Sequence, residues 1–244
     1  MKDNFSTHAD RYARFRPQYS VDVVEFIVSQ VTNRNAAWDV GTGNGQLASK
    51  LASYFNEVHA TDISENQLAN AIRLPNVIYS KQAAEQTNFQ KHQFDLITVA
   101  QAIHWFDLTK FYVEVKRTLK PDGCFAALGY GLSKIDGVDD ILQEFYSKKV
   151  GPYWDPERKI IEQEYQSIPF PFDDLGIHRF NLLNQWAIDD LFGYLSTWSA
   201  TRHYEKAVGT NPVKEFEERF RAHWGDDISK RVVTPVFVRI GKPR

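Results

Sequence analysis

The sequence predicts an α/β fold, a mostly parallel sheet with helices on both faces. Three observations carry that expectation. Short apolar runs of strand length alternate with segments of helical periodicity from residue 21 to residue 130. Three glycines at alternate positions, Gly41, Gly43 and Gly45, join the first such run to a helix. The run FDLITVA at 94–100 is β-branched and nearly continuous, as in a strand buried on both faces.

The elements follow in order. Residues 1–19 are polar and aromatic, an arm that ends at a turn near Pro17. Val21, Val24, Ile27, Val28 and Val31 have helical spacing. Residues 36–40 form the first strand and 46–55 the helix after the glycines, with Leu47, Leu51, Tyr54 and Phe55 on one face. EVHATD at 57–62 is a second strand. Ser64 and Gln67 then have the spacing of a capping box, opening a helix that Pro75 stops near Leu74. Strands are expected at 76–80, 94–100 and 124–130, with a helix at 108–119 ended by Lys120-Pro121-Asp122-Gly123.

Beyond Gly131 the alternation breaks. Residues 139–150, 155–167, 187–198 and 212–224 read as helices, and 178–183 and 232–240 as strands that complete a seven-stranded sheet. The division expected is one domain: an arm at 1–19, a core at 20–135, a helical lid inserted after the fifth strand at 136–210, and a closing helix and strand at 211–244.

Composition limits the function. The 244 residues are 43% hydrophobic and 14% aromatic, enough for a substantial core. Net charge is −2, with Lys and Arg scattered, which argues against a nucleic-acid surface. No apolar stretch approaches the ~20 residues of a membrane span, and the first residues show no apolar leader. Cys124 is the only cysteine and the histidines show no ligand spacing, so neither a disulfide framework nor a metal site is expected. The expectation is a soluble, cytoplasmic monomer or homodimer whose partner is a small molecule, not nucleic acid or membrane.

The glycine loop falls at the carboxyl end of the first strand, where open parallel sheets bind ligands. Glycine allows positive φ and close approach of a ligand to bare backbone. The helix starting near Gln46 offers unpaired N–H groups. Asp62 ends the second strand about 20 residues after the glycines, placed to accept hydrogen bonds from a ribose diol. The spacing is G-x-G-x-G, with Gln46 where the dinucleotide pattern has its third glycine. Asp39, just before the loop, would repel a pyrophosphate but attract a cationic amino-acid portion. That combination suits S-adenosylmethionine, a sulfonium nucleoside without phosphate.

DVGTGNGQLA, ATDIS, AAEQTNF, FDLITVAQAIHWFD and LKPDGCFA stand in this order over roughly residues 36–130. With these motifs the sequence resembles the class I S-adenosylmethionine-dependent methyltransferases, which implies a Rossmann-like sheet and that cofactor. The segments YARFRPQYS, AQAIHWF and LFGYLSTWSATRHY resemble the trans-aconitate methyltransferase-like branch, whose members act on different small molecules. The resemblance places Gly41, Gly43 and Gly45 under the methionine and ribose portions, Asp39 toward the amino end, Asp62 on the ribose and Ile63 beside the adenine. Ala84 and Glu85 would border the adenine edge, and Gln101 would line the methyl-donor site. Thr42 stands where a cysteine is common in the family. In the arm, Arg16 would pair with the methionine carboxylate and Tyr12 would cover the sulfonium.

Methyl transfer requires orientation rather than a covalent nucleophile. An ionised carboxylate acceptor needs no base. A hydroxyl or amine would need one, and His104, following the fourth strand, is the expected base. Arg202 and His203, beside aromatics in WSATRHY, are expected to help place an anionic acceptor under the lid. A nicotinamide-dependent oxidoreductase and a non-catalytic module that binds the cofactor remain as alternatives.

Overall fold

Every residue of β1 (Ala36–Val40) is buried, because helices cover the sheet on both sides of it. A computed structural model describes residues 15–244 of the chain. Before β1 lies α1 (Val21–Ser29); after it come α2 (Gln46–Leu51), β2 (Glu57–Asp62), α3 (Glu65–Ala69), β3 (Val77–Lys81) and β4 (Phe94–Ala100). A 3-10 turn, Ile103–Trp105, leads to α4 (Leu108–Thr118) and β5 (Leu119–Tyr130). Then follow β6 (Lys134–Ile135), α5 (Asp139–Glu144), α6 (Arg158–Glu162), β7 (Asp173–Trp186), α7 (Ile188–Ser196), α8 (Ser199–Val208), α9 (Pro212–Trp224) and β8 (Lys230–Lys242).

The strands run β3-β2-β1-β4-β5-β8, with β6 and β7 both paired to β8. The first five strands are parallel, and β8 is antiparallel to β5. Strand order reverses at β1, so the crevice for a ligand opens beyond β1 and β4. Alternate residues face opposite cores. Ala37, Leu96, Cys124, Ala126 and Leu128 pack with α1 and α2. Trp38, Ile97, Val99, Phe125 and Ala127 pack with α4. Trp38 is fully buried, and its indole N–H donates to Thr61 Oγ1 at 2.9 Å, which meets the polar need of that ring. A third cluster joins α5, α7, α8 and α9 around Phe145, Trp198 and Phe220.

Local chemistry explains the boundaries. Ser64 Oγ accepts from Gln67 N at 3.3 Å and caps α3, as the spacing predicted. Asp107 caps α4 through Lys110 N at 3.2 Å, and Asn211 caps α9 with Pro212 in its first turn.

Several elements differ from expectation. The sheet has eight strands rather than seven, because the two-residue β6 adds to β8. β5 begins at Leu119, and residues 120–123 make a bulge in it rather than a turn before it. β7 spans 14 residues, its edge position leaving it half exposed and so obscuring its period in the sequence. The helix expected at 155–167 shrinks to α6, since Glu164 and Tyr165 adopt positive φ and end it. The helix expected at 139–150 becomes a π turn from Phe145 to Lys149. Of the segment WSATRHY, Ser199 to Tyr204 belong to a helix, α8, with Trp198 just before it.

Candidate active site

The glycine loop takes its shape from backbone that only glycine adopts cheaply. Gly41, Gly43 and Gly45 all have positive φ, at 64°, 57° and 81°. A Cβ on Gly41 would sit 2.7 Å from Ala102 Cβ, and one on Gly45 would strike the Tyr79 hydroxyl. A Cβ on Gly43 would meet only Gln67 Oε1, at 3.8 Å, across the cavity that both residues line. Two of these glycines therefore fit the loop to the protein, and the middle one leaves room for a ligand.

Asp62 holds the loop from the side. Its Oδ2 accepts from Gly43 N and its Oδ1 from Ser64 N, both at 2.9 Å. The carboxylate is thereby fixed at the end of β2, on the wall of the crevice. Asp39 lies behind the loop. Strand register places it beside Thr98, whose hydroxyl donates to Oδ1 at 2.8 Å, while the Thr42 hydroxyl donates to Oδ2 at 2.6 Å. Burial pushes the Asp39 carboxyl up to about 6, against the lowering effect of those two hydroxyls. Asp39 is thus a fixed negative group, with both oxygens already engaged.

Above the loop, Gln101 ends β4 with φ of 55°, a strained value for a residue with a side chain. Its N–H donates to Leu128 O at 2.9 Å and its amide to Tyr130 O at 3.2 Å, which hold it there. Arg16 donates to the Tyr130 hydroxyl and to Thr197 O, each at 3.0 Å, and so links the sheet to the helical cluster.

These groups surround a cavity that, with its open mouth, encloses about 920 Å³. Arg16, Asp39, Gly41, Thr42, Gly43, Gln46, Asp62, Ile63 and Gln101 all line it, as does Gly45's neighbour Asn44. Tyr12 lies outside the described residues. Ala84 and Glu85 are not in its wall. Ala84 is buried in the cluster of Trp38 and Phe89, and the Glu85 carboxylate accepts from Asp107 N at 3.0 Å. The turn that carries them packs against α4 instead of the crevice. Sequence reasoning missed Gln67, Tyr19 and Tyr130 as wall residues, which come from α3, the segment before α1, and β5.

A second cavity, of about 480 Å³, adjoins the first and shares Arg16, Gln101 and Trp105 with it. His104, Trp154, Asp155, Arg158, Ile161 and Ser199 line the remainder. His104 is buried, with Nδ1 3.5 Å from the Tyr165 hydroxyl. Burial, aided by the charge of Arg158, pushes its pKa down to about 3, so it is neutral at ordinary pH and a weak base. Arg202 and His203 are not in this wall. His203 Nδ1 lies 2.9 Å from Tyr153 O and braces the turn below. The basic residue that α6 brings to the cavity is Arg158. Its guanidinium lies 5.0 Å from the Trp154 ring centre and 5.4 Å from that of Tyr146, and Nε donates to the Tyr146 hydroxyl at 2.8 Å.

The profile of the methyltransferase domain family matches residues 38–127, the stretch that builds the first cavity. A protein of Dictyostelium discoideum assigned as a methyltransferase is 35% identical over 249 residues, covering 98% of this chain and 95% of that one. An uncharacterized methyltransferase of Mycobacterium tuberculosis is 30% identical, over 78% of this chain and 76% of that one. The chain belongs to the class I S-adenosylmethionine-dependent methyltransferases. The structure of an Anaeromyxobacter dehalogenans protein assigned as a type II methyltransferase agrees, with a TM-score of 0.87 at 36% identity, over 94% of this chain and all of that one (100%). The nicotinamide and binding-module readings give way to this one.

As a methyltransferase of this class, the chain has acceptor groups that fit its cofactor. The room at Gly43 and the anchored carboxylate of Asp62 fit a ribose, and the anion of Asp39 behind the loop fits a cationic amino-acid end. Bound there, S-adenosylmethionine supplies a methyl group on positively charged sulfur, an electrophile that needs no further activation. The chain's own part is to hold donor and acceptor in line and to exclude water.

Proposed function

We propose that this methyltransferase acts on a small anionic molecule, a carboxylate, seated in the second cavity. The observation that carries the reading is the junction of the two cavities at Arg16, Gln101 and Trp105, with the Arg158 guanidinium in the wall beyond it. A guanidinium stacked on aromatic rings is already oriented, so it recognises a carboxylate at a small entropic cost. The state of His104 points the same way. A histidine held near 3 is a poor acceptor for the proton of a hydroxyl or an ammonium. A carboxylate is ionised at neutral pH and presents a lone pair without losing a proton. The helical cluster around Trp198 would then serve as the lid expected from the sequence, closing the acceptor in and water out.

The test is a methylation assay with labelled S-adenosylmethionine over small carboxylic acids, phenols and amines near neutral pH. Carboxylic acids should be turned over, giving a product that mild base cleaves as an ester. Turnover of amines or phenols alone would reject the reading.

A further inference from the structure

Asp155 is the part of the second cavity that a plain carboxylate does not explain. It stands three residues before Arg158, its main-chain oxygen accepts from Arg158 N at 2.9 Å, and both side chains line the same cavity. The Asp155 side chain is 12% exposed, and its Oδ2 is buried without a hydrogen-bond partner among the described residues. His203 Nδ1 is 3.9 Å away and itself lies against Tyr153 O at 2.9 Å. A buried carboxylate oxygen is normally hydrogen-bonded, and leaving it unpaired is costly. The wall of this cavity therefore holds a guanidinium, its Nε 3.9 Å from Glu162 Oε1, beside a carboxylate with one buried oxygen that no described residue hydrogen-bonds.

We propose that the acceptor is a carboxylate that also carries a hydrogen-bond donor, a hydroxyl or an ammonium, with its anionic group on Arg158 and its donor on Asp155. This rests on the anionic-acceptor reading above and narrows it. Arg158 alone would take any small acid. Asp155 beside it repels a second carboxylate on that side and rewards a donor, so it separates hydroxy and amino acids from plain monoacids and diacids. Asp155 and Arg158 act in recognition; neither is required to touch the methyl group.

The experiment compares kcat/KM for butanoate, 3-hydroxybutanoate, 3-aminobutanoate and butanedioate in the wild type and in Asp155→Asn. Titration with S-adenosylhomocysteine serves as the control for folding and for the first cavity, which Asp155 does not line. The hydroxy or the amino acid should exceed butanoate by about tenfold, the worth of one charge-assisted hydrogen bond. The stronger of the two identifies the donor. Asp155→Asn should erase that preference through KM, narrow the gap to butanedioate, and leave S-adenosylhomocysteine affinity unchanged. Equal use of butanoate and its hydroxy analogue by the wild type would overturn the inference while leaving the anionic-acceptor reading in place. So would an Asp155→Asn variant that binds S-adenosylhomocysteine normally and keeps the preference. Turnover of none of the four acids would remove the anionic-acceptor reading and this inference together.

Discussion

The two adjoining cavities are built by different means. The first is shaped by main chain: three positive-φ glycines, the ends of β1, β2 and β4, and two carboxylates tied to loop atoms. The second is shaped by side chains from the 3-10 turn after β4, the segment before α6, α6 itself, and the first residue of α8. Backbone geometry leaves little freedom in what binds, and suits a cofactor shared by many enzymes. Side chains from loosely constrained segments can change one at a time, and suit an acceptor that differs between relatives. Breaking each cavity separately should show whether the division is real.

The largest effect concerns Asp39, behind the first cavity. Its folded-state pKa is raised from 3.8 to about 6, so between those values the folded protein holds a proton that the unfolded chain has released. The ionised form therefore opposes folding above about pH 6, by up to about 3 kcal/mol, and this penalty fades as pH falls toward about 4. In the ligand-free protein, the stability of Asp39→Asn relative to wild type, from urea unfolding, should be greatest near neutral pH. It should decline by up to about 3 kcal/mol as pH is lowered through this window. A difference that stays flat would show that Asp39 is not buried as an anion. A bound cation should favour the ionised form, so cofactor affinity should weaken over the same range.

Next in size is Asp62→Ala. It removes the carboxylate expected to accept from a ribose and leaves Gly43 N and Ser64 N without that partner. The expected loss is about 2–3 kcal/mol of S-adenosylhomocysteine affinity, on the order of 100-fold by calorimetry. KM for the acceptor, measured at saturating cofactor, should move far less. Unchanged affinity would mean that the first cavity does not hold the nucleoside through this strand end.

The same contrast explains what the sequence revealed. The parallel half of the sheet and the first cavity were legible because their signals are local. Gly41, Gly43 and Gly45 lie within five residues, and Asp62 ends the very next strand. Ala84 and Glu85, expected at the adenine edge, stand on a turn against α4, outside the wall of the first cavity. In the helical half, Arg202 and His203 stood out as a basic pair among aromatics. Their helix, α8, instead brings Ser199 to the cavity, while His203 turns to Tyr153 O. Arg158 carried no comparable sign. Its place depends on α6 stopping at Glu162, on the positive φ of Glu164 and Tyr165, and on the rings of Tyr146 and Trp154. None of those is encoded by a pattern near Arg158.

The smallest effect tests that side-chain assembly. Arg158→Gln keeps a polar group of similar length but loses the charge and the fork. With carboxylic acids as acceptors, KM should rise by about tenfold, roughly 1.4 kcal/mol, with a smaller change in kcat. S-adenosylhomocysteine affinity should stay where it was, because Arg158 does not line the first cavity. Arg158→Lys should recover only part of the loss, since an ammonium restores charge without stacking or bidentate geometry. Full recovery by lysine would reduce the role of Arg158 to a point charge. A matching fall in cofactor affinity would mean that the two cavities are coupled through their shared wall at Arg16, Gln101 and Trp105 rather than independently built.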